Sequence, residues 1–325
     1  MPTDDELGVD LDFLRASARA FLAERGEKDS VEELARMDWT GLLVDEAHGG
    51  VGWRPVEAAV VAEEIGRAGD RSAWLGSVVA AAALATAPDA VRRRLLPGVL
   101  DGSVTAAVAL RTAGAGAVRV ARVDRSEILM LLADEGIELI DDLDALPRYD
   151  DADLLDVHRP VHRVDVSAAS KRDIGTAGRS AALRGVARLL VSADSIGALA
   201  ATFDRLVSYL NDRTAFGARI ASFQAVQHRL VDLLVLQVKS RAIVMKAMRA
   251  VAVNDPRAAV LTAAAHAFVT ANTTAAVDEC MQLSGGIGFT WEYPLHHELR
   301  RVFGNAQLFG TARSSHRELG EVAGW

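Results

Sequence analysis

The chain has 325 residues, half of them hydrophobic, which is material for one large domain or two to three small ones. A formal net charge of −8 excludes the basic excess of a nucleic-acid binder. One cysteine, Cys280, excludes an internal disulfide and suits a reducing cytoplasm, and it reads as a small buried hydrophobe. The acidic start Met1-Pro2-Thr3-Asp4-Asp5-Glu6 does not read as a signal peptide. Charges are expected to interrupt every apolar segment before the roughly 18 residues a bilayer span needs, so no membrane is expected.

In chain order, residues 11–25 place Leu11, Phe13, Leu14, Ala18, Phe21 and Leu22 at helical spacing, a core-facing stripe. A short helix ends near Gly41, and a glycine-rich turn leads to Gly52-Trp53. Residues 55–69 form the next helix, with Pro55 at its start, followed by helices at 74–87 and 89–97, the latter entered through Pro88. From about residue 103 the pattern changes to short β-branched runs: 104–110, 117–123, 128–132, 137–140 and 161–166. The acid-rich stretch 141–156 reads as a surface loop.

Helices return at about residue 178. Residues 184–210 and 224–253 carry apolar positions three or four apart. A third helix is predicted with Asp255 as N-cap and Pro256 at the first helical position, running to a stop at Gly285-Gly286. A fourth starts at Leu295 and is expected to fray beyond Gly304. The fold class is therefore α+β and mostly α: an N-terminal helical domain (1–102), a reduced β domain (103–177) and a C-terminal four-helix bundle (178–325).

Two stretches stand out. Arg213-Thr214-Ala215-Phe216-Gly217 runs on to Phe223-Gln224 and joins the first two bundle helices. An arginine there can bind a phosphate with two parallel hydrogen bonds, or it can be a solvated loop residue. Gln282-Leu283-Ser284-Gly285-Gly286-Ile287-Gly288-Phe289 stops the third helix, and its glycines also permit close approach of backbone to a ligand. His266, His296, His297 and His316 show no metal-ligand spacing and read as helix-face or surface residues.

These two stretches, with Gly41-Leu42-Leu43-Val44, Gly49-Gly50-Val51-Gly52 and Glu63-Glu64-Ile65-Gly66, resemble the acyl-CoA dehydrogenase family. The resemblance covers both helical ends and is weak in the β segment. It implies FAD as cofactor, an acyl-CoA thioester as substrate, α,β-dehydrogenation as reaction and an electron-transferring flavoprotein as reoxidant. It implies that Arg213 meets the FAD pyrophosphate, Phe216 packs beside the flavin of a neighbouring subunit, and Gln224, Gln282, Gly285 and Gly286 contact the same cofactor. Thr311 matches a threonine that contacts FAD held by its own subunit, and Arg188 matches a family arginine on the substrate side.

The chain departs from the family at the catalytic base. Counted without gaps from Tyr293-Pro294, the glutamate position before the Gly-Thr pair is Phe309. The alternative position, 26 residues before Arg213, is Ala187. Neither side chain accepts a proton. Asp194, Glu292 and Glu298 are expected in surface or ion-pair roles. The loop Arg111-Thr112-Ala113-Gly114-Ala115-Gly116 keeps little of the family's flavin-binding barrel loop.

Three readings stay open. The chain is similar to the short, base-less subunits of actinobacterial heteromeric acyl-CoA dehydrogenases, which implies a full-length partner that supplies base and thioester pocket. Alternatively it is a self-sufficient flavin oxidoreductase, forming a homo-oligomer and using an unrecognised base. Alternatively it is a scaffold without flavin.

Overall fold

A computed structural model of the chain describes residues 10–26, 28–149, 156 and 158–323. The first helix, α1 (Leu11–Arg25), starts where the Asp10 carboxylate accepts the backbone N–H groups of Asp12 and Phe13 at 3.0 and 2.9 Å. A two-stranded ribbon of β1 (Leu43–Val44) and β2 (Gly52–Trp53) precedes α2 (Pro55–Ala68), α3 (Trp74–Ala85) and α4 (Asp89–Asp101). Pro97 does not end α4 as the sequence suggests. It sits in the last turns, and the helix continues to a left-handed Gly102.

Two sheets follow. The first has the order β3 (Ala106–Arg111), β5 (Ile128–Ala133), β6 (Gly136–Ile140), β9 (Arg172–Thr176). The second has the order β4 (Ala117–Ala121), β8 (Val161–Asp165), β7 (Arg148–Tyr149). Alternate side chains of the first sheet divide between two cores. Ala107, Ala109, Leu129 and Leu131 meet Val118, Val120 and Val164 of the second sheet. Val108, Ile128, Met130 and Leu132 join the helical core instead. Strands β7 and β9 are not legible in the sequence, because Arg-Tyr and Arg-Asp-Ile-Gly-Thr carry too few β-branched residues. The expected surface loop at 141–156 is only partly one. β7 lies within it, Asp156 is buried and accepts backbone N–H groups from His158 and Arg159, and residues 150–155 lie outside the described residues.

The bundle is built from α5 (Ala177–Asp212), α6 (Gln224–Ala252) and α7 (Ala258–Leu283), with α8 (Leu295–Asn305) and α9 (Ala312–Ala323) against α7. Three details differ from expectation. α5 starts earlier, because Thr176 caps it by accepting the Arg179 N–H. α7 begins at Ala258, two residues later than predicted, and Asp255 accepts both the backbone N–H and the guanidinium of Arg257 before it. The end of the chain does not fray after Gly304, since α8 closes at Asn305 and a further helix, α9, follows. The charges also do not interrupt every apolar segment. α5 and α7 are long and apolar enough to cross a bilayer, but 94% and 50% of their apolar windows are buried in the protein, as in core helices.

The contact that sets the fold is α2 against α5. A Cβ on Gly66 would lie 1.9 Å from the Asp194 carbonyl oxygen, and one on Gly197 would lie 1.8 Å from that of Glu63. The helices touch backbone to backbone. Glu63 and Glu64, almost fully buried on α2, are neutralised by Arg241 of α6 and by Arg15 and Arg19 of α1. Asp194, 1% exposed, accepts from Arg301 at 2.6 and 2.9 Å, from Asn305 at 2.7 Å and from Arg159 at 3.4 Å. Burial pushes its carboxyl up, but the Arg159 and Arg301 guanidiniums outweigh burial and hold it below the usual range.

Candidate functional site

Because α5, α6 and α7 run antiparallel, the end of α5, the start of α6 and the end of α7 share one end of the bundle. Arg213, Phe216 and Gln224 therefore lie at the same end as Gln282, Gly285 and Gly286. The link is a hairpin of β10 (Thr214–Ala215) and β11 (Ala218–Arg219), turned by Phe216 and Gly217 at φ of 51° and 78°. Two positive φ angles in a two-residue loop define a type I′ turn, where Asn or Gly is favoured. A phenylalanine there is strained by about 1–3 kcal/mol. It is also 100% exposed. Strain and exposure together mark a side chain held out for contact rather than for folding.

Arg213 is exposed, and its guanidinium makes no ion pair or hydrogen bond among the described residues. Gln224 and Gln282 are exposed as well. At Gly285, with φ of 68°, and at Gly286 a Cβ would meet nothing within 4 Å, so bare backbone faces outward. Phe289 and Trp291, 59% and 76% exposed, continue the same corner. An uncommitted guanidinium, two exposed amides and open glycine backbone fit a diphosphate-bearing cofactor with an adjacent aromatic ring.

The remaining predicted residues lie elsewhere. Arg188 is 25 residues before Arg213 on α5, about 37 Å along the helix at 1.5 Å per residue. Its Nε donates to the Phe309 carbonyl at 2.9 Å and its Nη1 to Glu318 of α9 at 2.5 Å. Phe309, at φ of 57° and 4% exposed, belongs to the helical core beside Leu75, Gly76 and Val108. Ala187 is fully buried. Thr311 accepts the Ser314 N–H on its hydroxyl at 3.3 Å and donates its own N–H to Ser314 Oγ at 2.9 Å, a local cap at the start of α9. The chain does not bring Thr311 and Arg188 together with the Arg213 corner.

A cavity of about 630 Å³ opens beside Arg188, walled by Arg179, Arg184 and Arg188 of α5 and by Trp53. The carboxylates lining it are Asp45, Asp255 and Glu318. Arg257 holds Asp255 down at about 2, and Arg188 engages Glu318. Neither is suited to take a proton at neutral pH. Sequence reasoning missed Glu318 because it missed α9. The available signal was Thr311 three residues before Ser314 at a helix entrance.

The other carboxylates take the ion-pair roles expected of them: Asp194 as described, and Glu298 with Arg205. Glu292 is exposed. His266 departs from expectation, being fully buried with Nδ1 2.8 Å from Ser315 Oγ. Burial, then Arg188, push it down to about 3. Cys280 is fully buried, and burial pushes its thiol up to about 12.

An α-helical N-terminal unit, a pair of small sheets and a long-helix bundle make up the fold. Residues 12–103 match the acyl-CoA dehydrogenase N-terminal domain and residues 181–321 the C-terminal domain, and the chain belongs to the acyl-CoA dehydrogenase family. It is 31% identical over 311 residues to the acyl-CoA dehydrogenase IpdE2 of Mycobacterium tuberculosis, covering 94% of this chain and 90% of that protein. Its fold is similar to a variant of the Tcur3481-Tcur3483 steroid ACAD, with a TM-score of 0.84, 23% identity, and 98% of each chain covered. It is similar too to the ChsE4-ChsE5 complex from Mycobacterium tuberculosis, with a TM-score of 0.80, 18% identity, and 100% and 99% covered.

Proposed function

We propose that this chain is the base-less subunit of a heteromeric acyl-CoA dehydrogenase, supplying the bundle side of a shared FAD site. The observation that carries this reading is the Arg213–Phe216 hairpin, a strained, fully exposed aromatic beside an unpaired guanidinium. Arg213 would hold the pyrophosphate, and Gln282, Gly285 and Gly286 would meet phosphate and ribose. Gln224 would bond the same cofactor, and Phe216 would cover the flavin at the partner's side. Bound FAD supplies the electron sink for α,β-dehydrogenation of the acyl-CoA.

The partner, a full-length acyl-CoA dehydrogenase subunit, would supply the carboxylate base and the thioester pocket, because Phe309 and Ala187 occupy both base positions here. Relatives of the same fold include proteins described as two-component assemblies. A surface for such a partner exists on α6, where Val231, Leu234, Val235 and Val238 are exposed at i, i+3, i+4 and i+7. A second reading, a self-sufficient enzyme, has one observation in its favour: Glu318 lines the Arg188 cavity. Its pairing with Arg188 speaks against it as a base.

The test is expression of the chain alone and together with a full-length homologue, followed by flavin absorbance and dehydrogenase assay. Colourless single chain and yellow, active complex are expected. A yellow, active single chain overturns the proposal.

A further inference from the structure

A second cavity, of about 410 Å³, lies between α1, the turn after α2, α5 and α8. It shares no residue with the Arg213 corner or with the cavity at Arg188. Its wall carries four guanidinium groups, Arg19, Arg67, Arg71 and Arg205, against two carboxylates, Glu64 and Glu298. That local excess is notable in a chain of net charge −8. His158 and His297 also line it, their ring centroids 4.2 Å apart and tilted by 53°, with His296 4.0 Å from His297.

The wall is only partly self-satisfied. Arg19 gives two N–H groups to Glu64 at 2.9 Å each, Arg205 contacts Glu298, and Arg67 contacts the half-exposed Asp204. A guanidinium has five donors, so each keeps capacity for a ligand. Glu298 Oε2 and His297 Nδ1 are buried with no hydrogen-bond partner. A cavity that gathers guanidinium donors from separate elements has the character of an anion site.

We propose that this cavity binds a phosphate group carried by a small molecule. Donors converge from four separate elements, which suits a tetrahedral anion better than a planar carboxylate. The bare backbone at Gly26 and Gly69, where a Cβ would meet nothing within 4 Å, leaves the mouth open. The volume exceeds what one phosphate fills and falls in the range of small-molecule sites.

The test is isothermal titration of the flavin-free full chain with inorganic phosphate, pyrophosphate, coenzyme A and acetate at constant ionic strength. Saturable phosphate binding is expected, weakened about tenfold in Arg67→Gln and again in Arg67→Gln/Arg71→Gln, as loss of a charge-assisted hydrogen bond dictates. Circular dichroism confirms their folding. Arg205→Gln, at the more exposed Arg205, is the second probe if either variant unfolds. Tighter binding of pyrophosphate or coenzyme A that is lost in Arg67→Gln identifies the carrier and separates this cavity from the Arg213 corner. Absence of saturable phosphate binding, equal affinity in parent and variants, or acetate binding as tightly as phosphate overturns the proposal. The flavin reading is untouched by those results, because no residue is shared.

Discussion

The two ends of α5 are built on opposite principles. Around Arg188 the guanidinium is spent on the Phe309 carbonyl and Glu318, one ring nitrogen of His266 is paired with Ser315, and Phe309 is packed into the core. Around Arg213 little is satisfied. The guanidinium is unpaired, Phe216 is in solvent at a strained φ, and two glycines expose backbone. In a family whose catalysis needs a carboxylate at the first end, this chain places Phe309 and Ala187 there, and at the second end it leaves Arg213 and Phe216 exposed.

The contrast predicts that substitutions along the packed part of α5 harm stability, while those at the open end leave folding intact. The largest effect is expected for Asp194→Ala, which leaves Arg159 and Arg301 buried without their counter-charge. Urea denaturation should show a loss of about 3–5 kcal/mol. A loss under about 1 kcal/mol would mean that water or Asp156 already compensates those arginines.

His266 gives a smaller, pH-dependent effect at the packed end. Its folded-state value is depressed to about 3 from 6.5, so between those values the unfolded chain binds the extra proton. Stability therefore falls as pH drops from 6.5 toward 3, with a slope of up to about 1.4 kcal/mol per pH unit from this group. His266→Gln should flatten the acid limb by that amount. An unchanged slope would place His266 in contact with water.

The smallest effect belongs to the open end. Phe216→Gly relieves the positive φ and removes no buried contact, so stability should stay level or rise by about 1 kcal/mol at most. Association with a full-length partner, followed by size-exclusion chromatography, should weaken in the same variant. Lower stability with unchanged association would reverse the contrast between the two ends.

Much of this was legible in the sequence. The long helices follow from apolar residues three or four apart, and the hairpin from Phe216-Gly217 between short flanking segments. The family follows from the glycine-rich corners. The two family base positions can be counted from fixed motifs as Phe309 and Ala187, and neither residue carries a carboxylate. What stayed hidden depends on contacts remote in sequence. Asp194 becomes a structural anchor only when Arg301, 107 residues away, folds onto it. His266 looks like a surface residue until Ser315 of α9 covers it. Strand β9 pairs with β6 through backbone alone, which the composition of Arg172–Thr176 does not announce. Asp255-Pro256 gave a helix start by local rules two residues ahead of the observed one, and Asp255 pairs with both the backbone N–H and the guanidinium of Arg257.

The central claim, that the Arg213 end serves a flavin shared with a partner subunit, is tested most directly by Arg213→Ala in the co-purified complex. The account predicts an intact complex that has lost most of its bound flavin, since a charge-assisted arginine–phosphate contact contributes about 1.5–3 kcal/mol. An intact complex with the full flavin content of the parent would contradict it.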